Sequence, residues 1–162
     1  MGLVHGLRPS PLNDGRQSER ALEICRGTRR LLASLGMTTL TELSLADGRR
    51  ADVVGLSASG DIWIVEVKSS LEDFNTDQKW PDYLSWCNRF MFAVSPAFPR
   101  DVLPEDAGLI IADGYGAEMM RDGPETRLAA ARRKAVTLRF AHAAAGRLHQ
   151  LWDPDGRLEL LG

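Results

Sequence analysis

Residues Arg49–Ser70, which read RRADVVGLSASGDIWIVEVKSS, decide how this chain folds. Two apolar runs flank Ala58-Ser59-Gly60, and a three-residue connection with glycine in its last place suits a hairpin closed by a left-handed glycine. With the loop centred on Ser59, residues whose numbers total 118 face each other, and Asp52 falls opposite Glu66. Side chains alternate along a strand, so Asp52, Glu66 and Lys68 share one face while Trp63, Val65 and Val67 take the other. Opposed side chains in a hairpin stand roughly 5 Å apart at Cβ, and two carboxylates that close repel each other unless something positive lies between them. A divalent cation meets that need.

Charges on strands most often lie on a solvated face, and a Glu-x-Lys pair by itself carries little information. Here Ile62-Trp63-Ile64-Val65 is a continuous apolar run of the kind buried on both faces, and Glu66 and Lys68 interrupt it on the face of Ile62 and Ile64. Burying those charges without partners is costly, which favours a site over a solvated strand end.

Outward from the hairpin, Thr39–Leu45 reads as a strand that turns through Asp47-Gly48 into the central pair. Upstream, Ala21, Ile24, Cys25, Thr28, Leu31, Leu32 and Leu35 recur at three and four, which predicts a helix over 17–35 ended by Gly36. Glu19 and Glu23 fall away from the apolar stripe, as solvated residues do. Arg26, Arg29 and Arg30 on that helix either reach phosphates or keep it soluble. Downstream, Ser69–Gln78 reads as a loop before a helical stretch over 80–88, with Pro81 suited to its first turn. Arg89–Ser95 and Gly108–Ala112 read as buried strands. A helix-containing link from the Glu66 strand to the Phe90 strand implies a parallel crossover. The fold class is therefore α/β, a mixed sheet with helices on its faces. Ala117–Arg121 adds a short edge strand after the Gly114-Tyr115-Gly116 turn.

Residues 126–152 contain no acidic residue but carry six Arg or Lys, including Arg132-Arg133-Lys134. The stretch reads as a helix ending near Leu148, and that basic cluster is a candidate phosphate contact, since counterion release depends on local contacts and not on net charge. His142 and His149 are seven apart with no third ligand and read as surface histidines. A net charge of −2 over 162 residues, 44% of them hydrophobic, fits one domain spanning 1–162, with 1–15 a loosely packed leader rich in turn formers. Cys25 and Cys87 are isolated, so neither a zinc site nor a disulfide framework is indicated, and a cytoplasmic protein is expected.

Ala51-Asp52 followed by Glu66-Val67-Lys68 resembles the PD-(D/E)XK nuclease superfamily, with Ala51 where proline is usual. The longer string, RRADVVGL with DIWIVEVKSSLEDF, KWPDY and DAGLIIADGYGAE, is similar to bacterial MmcB-type DNA repair proteins. The resemblance implies a restriction-endonuclease-like sheet and metal-dependent hydrolysis of DNA in repair. It implies Mg²⁺ or Mn²⁺ held by Asp52, Glu66 and the carbonyl of Val67, with Lys68 as the charge-stabilising catalytic group. Relatives often place a Lys or Gln with a Tyr after the Glu-x-Lys strand, which nominates Lys79 and Tyr83 for DNA contact, against a reading in which Tyr83 packs on the sheet. DNA is the expected partner, other repair proteins possible ones. The competing functions are a non-cutting DNA-binding or scaffolding subunit that keeps the fold, and an unrelated α/β protein whose charged strand end is structural.

Overall fold

The computed structural model describes residues 18–156. The leader expected over 1–15 and most of the tail lie outside them.

Helix α1 (Glu19–Ser34) starts where Ser18 accepts a hydrogen bond from the backbone N–H of Ala21, at 3.1 Å, and it ends at Gly36, whose φ is +81°. The chain then runs through β1 (Met37–Ser44), β2 (Arg50–Ser57) and β3 (Ile62–Lys68) as an antiparallel meander. Val53 faces Val65 and Leu56 faces Ile62, the register expected of a loop centred on Ser59, and Gly60 takes φ +93° as that loop requires. Helix α2 (Leu71–Thr76) follows, then a 3-10 segment (Trp80–Trp86), β4 (Arg89–Val94), β5 (Gly108–Ala112), β6 (Ala117–Arg121) and α3 (Ala130–Trp152). The six strands lie side by side in chain order, with β3, β4 and β5 parallel and β6 antiparallel at the edge. The mixed α/β sheet is as expected.

Three expectations need correction. Residues 71–76 form a helix where a loop was expected. Ser70 accepts from the N–H of Asp73 and Asp73 accepts from the N–H of Ser69, so the cap does the work in a helix that buries only Phe74 and shows no periodicity. The stretch after Lys79 is a 3-10 helix and shorter than predicted, with Pro81 in its first turn. Helix α3 runs to Trp152, a turn beyond its predicted end.

Both faces of the sheet are covered. On one, Ile24 and Leu32 of α1 meet Val53, Val65, Met91 and Ile110. On the other, Ile62, Ile64, Phe90 and Phe92 meet Phe74, Tyr83, Val136 and Phe140, with Phe90 and Phe92 edge to face at 5.1 Å. Helix α1 also lies directly on the β5–β6 turn. A Cβ on Gly27 would sit 2.2 Å from the carbonyl oxygen of Asp113 and 2.4 Å from that of Gly116. Gly27→Ala therefore pushes the turn off the helix, and overpacking of this kind costs about 1–3 kcal/mol. The expected result is a melting temperature lower by several degrees; an unchanged melt would show that the turn yields freely.

Candidate functional site

The antiparallel pairing of β2 with β3 runs from Leu56–Ile62 to Val53–Val65, and the next residues along are Asp52 and Glu66. There the two carboxylates take over from the backbone ladder. Glu66 Oε1 accepts the N–H of Asp52 at 3.1 Å, and Asp52 Oδ2 accepts the N–H of Val67 at 2.8 Å. Each acid is thus locked in place by the opposite strand through one oxygen and has a second to offer. Both line a cleft of about 440 Å³ at the C-terminal end of β3, together with Lys68.

Glu66 and Lys68 are each only 4% exposed, so their charges need partners. Lys68 Nζ lies 3.4 Å from Oδ2 of Asp77, on the segment after α2. Burial pushes the Asp52 carboxyl up to about 6, against the lowering effect of the Val67 N–H. Burial, then the charge of Asp52, raises Glu66 well above the ordinary carboxylate range. At Asp77 burial acts upwards too, but Lys68 and the N–H of Lys79 outweigh it and hold that carboxyl below its usual value.

Sequence reasoning missed Glu42. It lines the same cleft, and its Oε2 pairs with Nε of Arg50 at 2.5 Å. With Leu43 facing Ala51 and Thr41 facing Val53, Glu42 falls level with Asp52, at a break in the pairing where its φ is +54°. It has the only positive φ among the described non-glycine residues, and such strain in a strand collects at functional sites. A turn centred on Asp47 already implies this register, so the spacing held the signal. Asp73 and Asp77 complete the acidic lining, giving five acids against Arg50 and Lys68. That excess repels a phosphate unless cations enter with it.

A model of the DNA repair protein MmcB-like family matches residues 8–155. The chain belongs to this DNA repair family. A solved protein of unknown function from Silicibacter pomeroyi is 43% identical, with a TM-score of 0.84 over 90% of this chain and 99% of that one. A repair endonuclease from Pyrococcus abyssi is 16% identical, with a TM-score of 0.33 over 51% of this chain and 40% of that one, a likeness too small to bear on function. None of the curated proteins compared matches the chain.

Of the other expected contacts in this MmcB-like chain, Tyr83 lines the cleft while Lys79, Arg132, Arg133 and Lys134 do not. Tyr83 is buried, its ring stacked 5.9 Å from Phe90 and its hydroxyl donating to the carbonyl of Arg50 at 3.0 Å. Tyr83 thus packs on the sheet, as one of the two readings expected, and it also lines the cleft. Lys79 is exposed and caps the 3-10 segment, its N–H on Asp77. Arg133 donates to the carbonyl of Gly60 and Arg132 lies 4.5 Å over the Trp86 ring, while Lys134 is exposed. Arg133 therefore sits at the hairpin turn, roughly 20 Å along β3 from Glu66 at about 3.3 Å per residue. Glu23 packs on Gly114, away from the cleft, which is lined by the cap residue Ser18 and by Ala21 of α1 and not by Glu19. Cys25 and Cys87 are buried free thiols, pushed up by that burial to about 11 and about 12. None of the described helices is long and apolar enough to cross a membrane.

Among the described residues no group of three or more His, Cys, Asp or Glu stands ready to hold a metal ion. What the cleft offers is two locked carboxylates, with Val67 beside them in the lining. This is a hard, oxygen-only set that suits a cation which keeps several of its waters, as Mg²⁺ does.

Proposed function

We propose that this MmcB-like protein is a metal-dependent deoxyribonuclease that hydrolyses phosphodiester bonds during DNA repair. The observation that carries the reading is the half-buried Asp52 set against the buried Glu66 and Lys68, in a cleft with more acids than bases. Groups so costly to bury are retained where chemistry needs them. Asp52, Glu66 and the Val67 carbonyl would hold Mg²⁺ or Mn²⁺. Such an ion supplies Lewis-acid polarisation of the phosphate and a water of lowered pKa. Lys68 orients the attacking water and offsets the negative charge that grows at phosphorus. Asp77 holds the amine in place until substrate arrives.

The second reading, a DNA-binding scaffold that does not cut, draws on the hydrogen bonds that Asp52 and Glu66 accept from the opposite strand, which give both acids a structural task. A panel of labelled single-stranded, duplex and branched DNAs separates the two. Cleavage that needs Mg²⁺ or Mn²⁺, stops in EDTA and is lost in Asp52→Asn is the expected result. Binding without cleavage on every substrate would favour the scaffold.

A further inference from the structure

The β5–β6 turn is built with more care than a connection needs. Asp113 Oδ1 accepts the N–H of Tyr115 at 2.8 Å and that of Gly116 at 3.0 Å, and the N–H of Asp113 bonds the carbonyl of Gly116 at 3.0 Å. Arg30 of α1 clamps the outer side, its Nη1 donating to the carbonyl of Tyr115 at 2.7 Å. The close approach of Gly27 fixes the turn from beneath. All of this holds the backbone rigid, yet the Tyr115 side chain takes no part in packing. It is 86% exposed, more than any other large hydrophobic side chain among the described residues. An aromatic ring carried on a fixed backbone and left bare to water offers its face to a flat partner.

Beside the ring lies a second, open cleft of about 530 Å³. Pro96, Ile111 and Met120 give it apolar surface, and Arg100, Asp113 and Glu118 its charged groups, with Asp113 already engaged by the turn N–H groups. Its size is within the range that accepts a small planar ligand. Arg100 matches a phosphate, and Glu118 can accept from the exocyclic amine of a base but repels a phosphate. The cleft thus holds a group for a phosphate and a group for a base edge beside the exposed ring.

The two clefts share one end of the sheet. Strands β3, β4 and β5 are parallel, with Lys68 level with Val94 and Val94 level with Ile111, so the candidate catalytic cleft at the end of β3 and the Tyr115 turn after β5 open at the same rim. The Asp52–Glu66 pair lies between β2 and β3 and the turn between β5 and β6, so three strand spacings separate them, about 14 Å, or about four nucleotides at the rise of a stacked strand.

We infer that Tyr115 and Arg100 form a stacking site for an unpaired base of single-stranded DNA running along this rim. In a duplex each base face is already covered by its neighbours, so only an unpaired segment can use the ring. The substrate class is then DNA with a single-stranded portion close to the bond that is cut. The assignment of a nearby cut bond rests on the nuclease reading; the base-stacking site does not.

Fluorescence anisotropy of a labelled single-stranded oligonucleotide, measured in EDTA with the full chain, tests the site without any cleavage. Tyr115→Ala should weaken single-strand binding about tenfold, within the range seen when a stacking aromatic is lost. Tyr115→Trp should bind as well as the natural protein or better, and duplex affinity should be the same in all three. Arg100→Ala should lower the slope of affinity against salt by about one counterion. An unaltered single-strand affinity in Tyr115→Ala would overturn the inference, as would an equal loss on duplex or no single-strand binding by the natural protein. Cleavage lost in Asp52→Asn with binding intact would leave both readings standing. A binding change in Tyr115→Ala without cleavage by any form would sink the nuclease alone.

Discussion

Lys68→Ala is expected to lower DNA cleavage by about a hundredfold or more while leaving the magnesium-dependent rise in melting temperature in place, because a preorganised charge-stabilising group acts on the transition state and not on the metal. The amine is buried and held by Asp77, so it is fixed before the reaction begins and needs no reorganisation during it. Its loss removes the cation beside Asp77, but that carboxylate keeps the Lys79 N–H, is 42% exposed, and water can replace the amine. The structural cost should therefore be modest. Lys68→Met, which keeps most of the apolar stem, controls for packing and should lose the same activity. Full cleavage by Lys68→Ala would mean that a contaminating enzyme was being measured. Cleavage that falls only in step with melting temperature would reduce Lys68 to a structural residue.

The second large effect is on stability against pH, read as the difference between the natural protein and Glu66→Gln without metal. Asp52 and Glu66 both have folded-state pKa values raised above their unfolded ones. The folded state then binds more protons than the unfolded state between those values, and stability falls as pH rises. For Asp52 the fall begins near 3.8 and ends at about 6. For Glu66 it continues to higher pH, because its carboxyl lies well above the ordinary range. Glutamine keeps an oxygen for the Asp52 N–H but cannot ionise. Glu66→Gln should thus stop losing stability near pH 6, where the natural protein goes on declining, and should melt several degrees higher at pH 8. Millimolar Mg²⁺ should raise the melting temperature of the natural protein by mass action and have no effect on the variant. Parallel pH profiles for the two proteins would show that Glu66 is not charged against its environment and would remove the electrostatic case for a cation.

Much of this was legible before any coordinates. The Ala58-Ser59-Gly60 loop sets the register of β2 on β3 because turn geometry and two-residue alternation are local properties, and the structure keeps that register as far as Val53–Val65. The apolar run before Glu66, the parallel crossover to Phe90 and the short β6 follow from equally local patterns. The six-residue helix after Ser70 was obscured by its length, since one buried phenylalanine makes no period.

The sequence by itself determined the α/β class and brought Asp52, Glu66 and Lys68 to one strand end, because alternation and turn closure need no information from far along the chain. Only the tertiary structure decided which side chains face inward and which are presented. It turned Tyr83 in against Phe90 and held Tyr115 out, brought Asp77 to Lys68, gave Glu42 its left-handed backbone and tied Arg133 to the hairpin turn away from the cleft. Each of those outcomes depends on how separate elements pack, where burial and desolvation outweigh the preferences of any single residue.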